Sequence, residues 1–355
     1  MVKKERKLYV TDFEKYKNAL KGVKYIDLFA GIGGFHTAMK SFGAQCVFSS
    51  EWDKHAQKTY YENYNIMPAG DITKINAEDI PSHDILCAGF PCQPFSISGK
   101  RMGFEDTRGT LFFDVARIAK YHKPNILFME NVRNFATHDN GNTLKTVADT
   151  LDEIGYNLWY KVLNASHYGL PQNRERIYMI GIRKDIDLKQ FNFPSPTFEQ
   201  VILKDFILPD NETEKYIINR EDMVIDESKI PTISLLNEYQ LKPRRVGTIN
   251  KGGQGERIYS ELGHAITLSA QGGGPGSKTG CYLINGKVRK LAPRECARIQ
   301  GFPDSFLIPV SDGQAWKQFG NSVPVTVLKH ILKSITDTRE ISLSLGVSES
   351  LCEKC

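Results

Sequence analysis

The sequence predicts an α/β protein, a doubly wound, mostly parallel, Rossmann-like sheet joined to a second, smaller, mainly β domain. Three observations carry that expectation. From residue 24 to about residue 183, a short apolar or β-branched run, a loop and a helix-like stretch follow one another repeatedly, which is the rhythm of βαβ units. The runs are apolar throughout rather than alternating, as in strands covered on both faces. Near "FNFPSPTF" (191–198) prolines end the rhythm, and bases, scattered strand-like segments and the glycine-rich runs "NKGGQGERIYS" and "SAQGGGPGSKTG" take over.

Along the chain, strands are expected at "YIDLF" (25–29), "CVFSS" (46–50), "DILCAG" (84–89), "NILFME" (125–130), "LWYKVLN" (158–164) and "RIYMIGI" (176–182). Stretches such as "GTLFFDVARIAKYHK" have helical apolar spacing and supply the crossovers. The expected division is a sheet domain over 1–200, a second domain over 201–292 and a hinge over 293–317. A C-terminal helix over 318–343 then returns to the first domain, its apolar face marked by Val323, Val327, Leu328, Ile331 and Ile335, and 344–355 form a tail.

Composition removes several function classes. At 355 residues, with 41% apolar and 25% charged positions, the chain can bury two cores and has no apolar stretch of bilayer length. The basic N-terminus lacks the continuous apolar core of a secretion signal, so a cytoplasmic protein with no membrane contact is expected. Seven cysteines, an odd number scattered through a long chain, point to a reducing compartment. Cys352 and Cys355 form a CxxC pair with no second pair nearby, and no metal is expected. The net charge of +5 is compatible with a polyanionic partner but does not single one out.

"YIDLFAGIGGF" reads as strand, glycine turn and helix start, which gives a nucleotide-like ligand access to backbone amides past Gly31, Gly33 and Gly34. Glu51, about twenty residues on, follows the second strand where a carboxylate can accept both hydroxyls of a ribose. Asp71, beside Ile72, is placed to take an adenine amine. The set suits S-adenosylmethionine better than a nicotinamide dinucleotide, because G-x-G-G need not hold a pyrophosphate and Phe29 and Trp52 are placed near a sulfonium.

Cys92 and Glu130 follow strands and so emerge at the carboxyl edge of the sheet, where open parallel sheets bind ligands. Arg174 and Arg176 are two apart at the start of a strand, so both guanidiniums are expected on one side, with Glu175 on the other. Methylation of cytosine at C5 needs such a set. A thiolate adds to C6 and turns C5 into a nucleophilic enamine carbon; a carboxyl at N3 and cations at O2 support the addition. Hydrolytic thiol chemistry would want a histidine base, and His83 and His122 are expected at the surface.

At these residues the chain resembles the C5-cytosine DNA methyltransferases: "DLFAGIGG", "GFPCQPFS", "ENV", "QNRERIY" and "GNSVP" occur in the family's order over nearly the whole length. The resemblance implies an S-adenosylmethionine-dependent enzyme, DNA (cytosine-5-)-methyltransferase, that releases S-adenosylhomocysteine. It implies Cys92 as nucleophile, Glu130 as the N3 partner and Arg174 with Arg176 near the base. Phe29, Gly31, Gly33, Gly34, Glu51, Trp52, Asp71, Ile72, Pro91, Leu111 and Asn321 would line the cofactor site. Pro91 and Gln93 would fix the thiol.

A cytosine inside a duplex hides C6, so the base must be flipped out and the gap filled. "SISGKRMGF" (96–104) suits a loop that closes over DNA, with Ser96, Ser98, Lys100 and Arg101 as contacts. The second domain resembles that of a GCGC-recognising member of the family. This likeness implies Gln254 and Ser98 in the vacated space, Arg257 reading guanine O6 and N7, and contacts from Thr267 and Gln271. Gln271 stands where that relative has tyrosine, so GCGC comes first and GCNGC second. The expected partner is double-stranded DNA, met by a monomer, with a cognate restriction endonuclease acting independently. Transfer RNA as methyl acceptor, a dehydrogenase and a non-catalytic DNA binder are the alternatives. The last two leave Cys92 and Glu130 without a purpose.

Overall fold

A computed structural model describes residues 13–91, 111–197, 201–231 and 242–347. The chain divides into two compact units. The first comprises Asn18–Leu163, Glu175–Pro194 and Leu328–Cys355; the second comprises Met1–Lys17, Asn164–Arg174 and Ser195–Val327.

The first unit is built on six strands: β1 (Lys24–Leu28), β2 (Gln45–Ser50), β3 (Ile85–Gly89), β4 (Ile126–Val132), β5 (Tyr156–Asn164) and β6 (Glu175–Arg183). Every expected strand is present, each with ends within two residues of the expected ones. The order is β2-β1-β3-β4-β6-β5, with the β1/β2, β1/β3 and β3/β4 pairs parallel. β6 fills the slot between β4 and β5 and runs against β4, a reversal that apolar periodicity does not report. The crossovers carry α1 (Gly34–Ser41), α2 (Lys54–Tyr64), α3 (Leu111–His122) and α4 (Asn142–Glu153). α2 starts where the Asp53 side chain accepts from the N–H groups of His55 and Ala56. α3 buries Phe112, Val115, Ala116, Ile118 and Ala119, spaced three and four apart, against a core that includes Ile26, Leu86 and Leu127.

On the α1 and α2 side of β1 the sheet carries polar groups. Tyr25 lies opposite Cys46 of β2, and Asp27 lies opposite Cys87 of β3. Asp27 is fully buried, and burial followed by the Glu51 charge pushes its carboxyl well above the usual carboxylate range. The fold therefore holds this proton more tightly than the unfolded chain does. Stability present below about pH 4 is lost as pH rises toward the folded-state pKa. Asp27→Asn should remove that slope. Above about pH 5 the wild-type unfolding free energy should fall relative to the variant's as pH rises toward the folded-state pKa. Parallel pH profiles from denaturant titrations would mean that Asp27 ionises in the fold.

The second unit contains β7 (Met223–Ile225), β8 (Arg245–Ile249), β9 (Arg257–Ser260), β10 (Cys281–Ile284) and β11 (Lys287–Arg289) in the order β11-β10-β9-β8-β7. Only the β9/β10 pair is parallel. Val246, Ile249, Ile258, Cys281 and Val288 form its small core. α5 (Pro293–Ile299) is tied to β11 by a buried fork between Arg289 and Glu295, with NH1 to Oε2 at 2.8 Å and NH2 to Oε1 at 2.7 Å. α6 (Asp312–Asn321) follows, so about half of 293–317 is helical. α7 (Val325–Asp337) begins after Pro324 and runs from the second unit into the first; Val327, Leu328, Ile331 and Ile335 are fully buried, as their spacing predicts. α8 (Arg339–Ser344) ends near β4, where Asn125 Nδ2 donates to the Ser344 carbonyl at 2.6 Å.

Among the described residues Cys46, Cys87, Cys281 and Cys296 are free thiols, and no helix is long and apolar enough to cross a membrane. His83 is buried, contrary to the expectation of a surface residue. Its Nδ1 lies 2.8 Å from the Pro81 carbonyl and its ring 4.8 Å from that of His122, and burial lowers its pKa to about 4.

Candidate active site

β1 delivers the chain into a turn in which Phe29, Gly31 and Gly33 all take positive φ, at 55°, 55° and 82°. Gly33 is then the N-cap of α1, whose first residue is the buried Gly34. Gly33 is needed twice over, for its dihedral and for space: a Cβ there would lie 2.3 Å from Tyr64 Cε2. Tyr64, the last residue of α2, bonds through its hydroxyl to Thr37 Oγ1 at 2.7 Å and donates to the Gly33 carbonyl at 2.9 Å, so α2 braces the turn. Gly33→Ala should cost about 2–4 kcal/mol, from the left-handed backbone and the overpacked ring together. Thermal unfolding measures it, and a loss under about 0.5 kcal/mol would show that the turn yields without cost.

Glu51 follows β2 and is buried. Its Oε2 accepts from Gly31 N–H and its Oε1 from Asp53 N–H, both at 2.8 Å, so it links the turn to the start of α2. Burial raises its pKa. Each carboxylate oxygen retains a second acceptor position, as a ribose diol requires. The Gly31 N–H is already taken, and a buried carboxylate beside it opposes a pyrophosphate, so the turn suits an adenosyl group rather than a dinucleotide. Trp52, next in the chain, is 79% exposed and offers a ring face. Asp71 uses Oδ1 for Thr73 N–H and Oγ1, while its Oδ2 lies 3.9 Å from Lys74 Nζ. Ile72 is packed in the core, Leu111 opens α3 half-buried, and Pro91 is exposed.

At the adjacent strand ends, Glu130 stands opposite Gly89 in the β3/β4 register. Arg176 Nε lies 3.1 Å from Glu130 Oε1, with side chains only 14% and 9% exposed, and Arg176 NH1 donates to the Glu175 carbonyl. Asn131 Nδ2 donates to the Phe90 carbonyl at 2.9 Å and ties the end of β4 to the main chain just before Pro91. Asn131, the middle residue of "ENV", joins this neighbourhood although its spacing in the sequence does not single it out. Cys92, Gln93, Ser96, Ser98, Lys100 and Arg101 lie outside the described residues.

The two arginines have different partners. Glu175 opens β6 and Arg174 precedes it, so the alternation argument does not reach Arg174. Arg174 is 1% exposed in the second unit; its NH1 donates to the Leu268 carbonyl and its NH2 to those of Gly320 and Ser322. Asn321 ends α6 with an exposed side chain in the same unit. Gln254, Arg257, Thr267 and Gln271 are also exposed there. Gly255, between Gln254 and Arg257, sits against the main chain of Gly273, where its Cβ would come within 2.1 Å of the carbonyl oxygen. The two glycine-rich runs therefore meet backbone to backbone. Gln172, which no motif in the sequence marks, is buried, its Oε1 accepting from Leu268 N–H and its Nε2 donating to the Ile299 carbonyl.

The profile of the C-5 cytosine-specific DNA methylases matches residues 23–337. The chain belongs to this family. It is 56% identical to the type II methyltransferase M.HhaI of Haemophilus parahaemolyticus over 89% of this chain and 95% of that one. It is 43% identical to M.HpaII of Haemophilus parainfluenzae over 91% and 92% of the two chains. Among solved structures, the S. pombe Dnmt2 methyltransferase superposes with a TM-score of 0.61 at 19% identity over 91% of this chain and 98% of its own. A Spodoptera frugiperda DNMT2 mutant superposes with 0.65 at 20% identity, over 88% and 99%. These structures share the fold. The protein is thus a C5-cytosine DNA methyltransferase of the type II restriction-modification kind, an α/β enzyme of a family that uses S-adenosylmethionine.

Proposed function

We propose that the enzyme methylates C5 of a cytosine flipped out of duplex DNA within a short GC-rich site, GCGC in the first place, through a transient bond from Cys92 to C6. The observation that carries this reading is the Glu130 carboxyl, held by Arg176 at the strand ends where Asn131 grips the Phe90 carbonyl, two residues before the thiol. That sets the Glu130 carboxyl at the sheet edge from which the sequence runs on to Cys92.

The Cys92 thiolate adds to C6, and the electrons of the C5–C6 double bond move so that C5 becomes an enamine carbon as N3 receives a proton shared with Glu130. Arg176 orients that carboxyl and adds positive charge beside the pyrimidine. When bound, S-adenosylmethionine would supply an electrophilic methyl on a sulfonium to C5 and leave as S-adenosylhomocysteine, and N3 would return its proton to Glu130. Loss of the C5 proton then restores the double bond and expels the thiolate. Glu51 would hold the ribose hydroxyls, Asp71 the adenine amine, and Trp52 with Phe29 the flat and charged parts of the cofactor. In this reading residues 1–200 are the catalytic and cofactor-binding domain and 201–292 the target-recognition domain.

The preference for GCGC is supported by the high identity to M.HhaI, by the resemblance through 250–260 and 265–270, and by the fork of exposed Arg257, which matches guanine O6 and N7. Methylation of that site would protect DNA from a cognate restriction enzyme. A plasmid recovered from cells expressing the protein should resist nucleases that cut GCGC and remain open to those that need other sites. Resistance confined to GCNGC sites would move the specificity. Full sensitivity, with methylation of transfer RNA instead, would overturn the duplex substrate.

A further inference from the structure

Arg174 makes bonds that the catalytic reading does not use. It lies in the short stretch 171–174, which the second unit holds from several sides. Asn173 N–H donates to the Ala265 carbonyl at 2.9 Å, Ala265 N–H to the Pro171 carbonyl at 2.7 Å, and Thr267 Oγ1 to the Asn173 carbonyl. Leu268 is held at both polar groups from this stretch, its N–H by Gln172 Oε1 at 3.2 Å and its carbonyl by Arg174 NH1 at 3.0 Å. Arg174 NH2 reaches the other way, to the Gly320 carbonyl at 2.9 Å and the Ser322 carbonyl at 2.6 Å. Those carbonyls belong to the C-terminal end of α6, where intrahelical donors have run out and a positive charge is favoured. Gln300 Nε2 adds a bond to the Phe319 carbonyl at 2.7 Å.

The two segments that Arg174 joins also touch through their main chains. A Cβ on Gly320 would lie 2.3 Å from both the Ala270 nitrogen and the Ser269 carbonyl carbon. On either side of this contact the side chains face outward: Thr267 and Gln271 on one segment, Asn321 on the other.

We infer that Arg174 is a positioning residue that makes the Thr267–Gln271 segment and the turn carrying Asn321 one rigid piece, and so couples DNA contact at the first to cofactor contact at the second. The inference rests on the proposed function and on the roles that the family resemblance implies for Thr267 and Gln271 toward DNA and for Asn321 toward the cofactor. Rigidity supplies the coupling: a ligand that fixes one segment also fixes the other, and the second ligand then meets a surface already ordered. The planar guanidinium can serve three carbonyls in two directions at once, whereas a lysine ammonium keeps the charge without the fork.

The test uses the full-length enzyme and its Arg174→Lys, Asn321→Ala and doubly substituted forms. S-Adenosylhomocysteine affinity is measured alone and with a DNA duplex carrying the site found by plasmid protection, and the single-turnover methylation rate is measured at saturating DNA and cofactor. In the wild type the duplex should tighten S-adenosylhomocysteine by about fivefold or more. Arg174→Lys should bring that factor close to one and weaken the ternary complex about tenfold, while the saturated single-turnover rate changes less than about threefold. Added to Asn321→Ala, it should change cofactor affinity little further. A collapsed single-turnover rate with intact affinity and intact DNA-linked tightening would place Arg174 on the reacting base and overturn the inference. Unchanged affinity in Asn321→Ala alone would instead refute the cofactor role of Asn321, and the inference with it. Should Arg174→Lys fail to fold, Gln300→Leu loosens the same turn and should lower the coupling factor in the same direction; a folded Gln300→Leu enzyme with wild-type coupling overturns the inference.

Discussion

Replacing Cys92 by serine should abolish methyl transfer while leaving DNA affinity close to that of the wild type. A serine hydroxyl holds its proton far more tightly than a thiol and is a weaker nucleophile toward C6, so C5 never acquires enamine character. The expected loss in single-turnover rate is on the order of a thousandfold or more. Binding draws on phosphate contacts and base edges, which the sulfur does not supply. Filter binding or fluorescence anisotropy with a cognate duplex, run beside a methyl-incorporation assay, separates the two effects. Methylation at an undiminished rate would remove Cys92 from the chemistry.

Glu130→Gln is expected to have the next largest effect. A glutamine amide cannot share a proton with N3, and loss of a general acid of this kind lowers rates about a hundredfold to ten-thousandfold. The substitution also touches the fold, because Arg176 Nε has Glu130 Oε1 as its partner at 3.1 Å in a nearly dry setting. The amide oxygen can still accept from Arg176, so the stability loss should stay near 1–3 kcal/mol, less than the cost of leaving the guanidinium with no partner. A thermal shift without a rate loss would make the carboxyl a structural partner of Arg176 alone. A rate loss in a protein that melts near the wild-type temperature is the expected pattern.

Much of this architecture was legible in the sequence because it is local. β1 through β6 follow from apolar runs bounded by turn residues, and the buried positions of α7 follow from three- and four-residue spacing. The glycine turn was legible because Gly33 combines a left-handed dihedral with a site that admits no side chain. What escaped the sequence is long-range. The reversed direction of β6 is set by which slot it enters, and strand patterning carries no direction. Alternation over two residues says nothing of the carbonyl partners of Arg174, which lie 94, 146 and 148 positions away. The burial of His83 depends on the packing of α3 over the turn before β3, where His122 comes against it. Asn131 was within a recognised motif, but its bond to Phe90 crosses between strands, and only the β3/β4 pairing brings the two together.

The most direct test of the account is covalent trapping on a duplex whose target cytosine carries fluorine at C5. Fluorine cannot leave as a proton does, so once the methyl group has been transferred the thiol cannot be expelled and the adduct should persist through denaturing electrophoresis. A cofactor-dependent complex of enzyme and DNA, whose only modified peptide contains residue 92, is the expected result. Release of free enzyme after turnover, or a crosslink at any other residue, would contradict it.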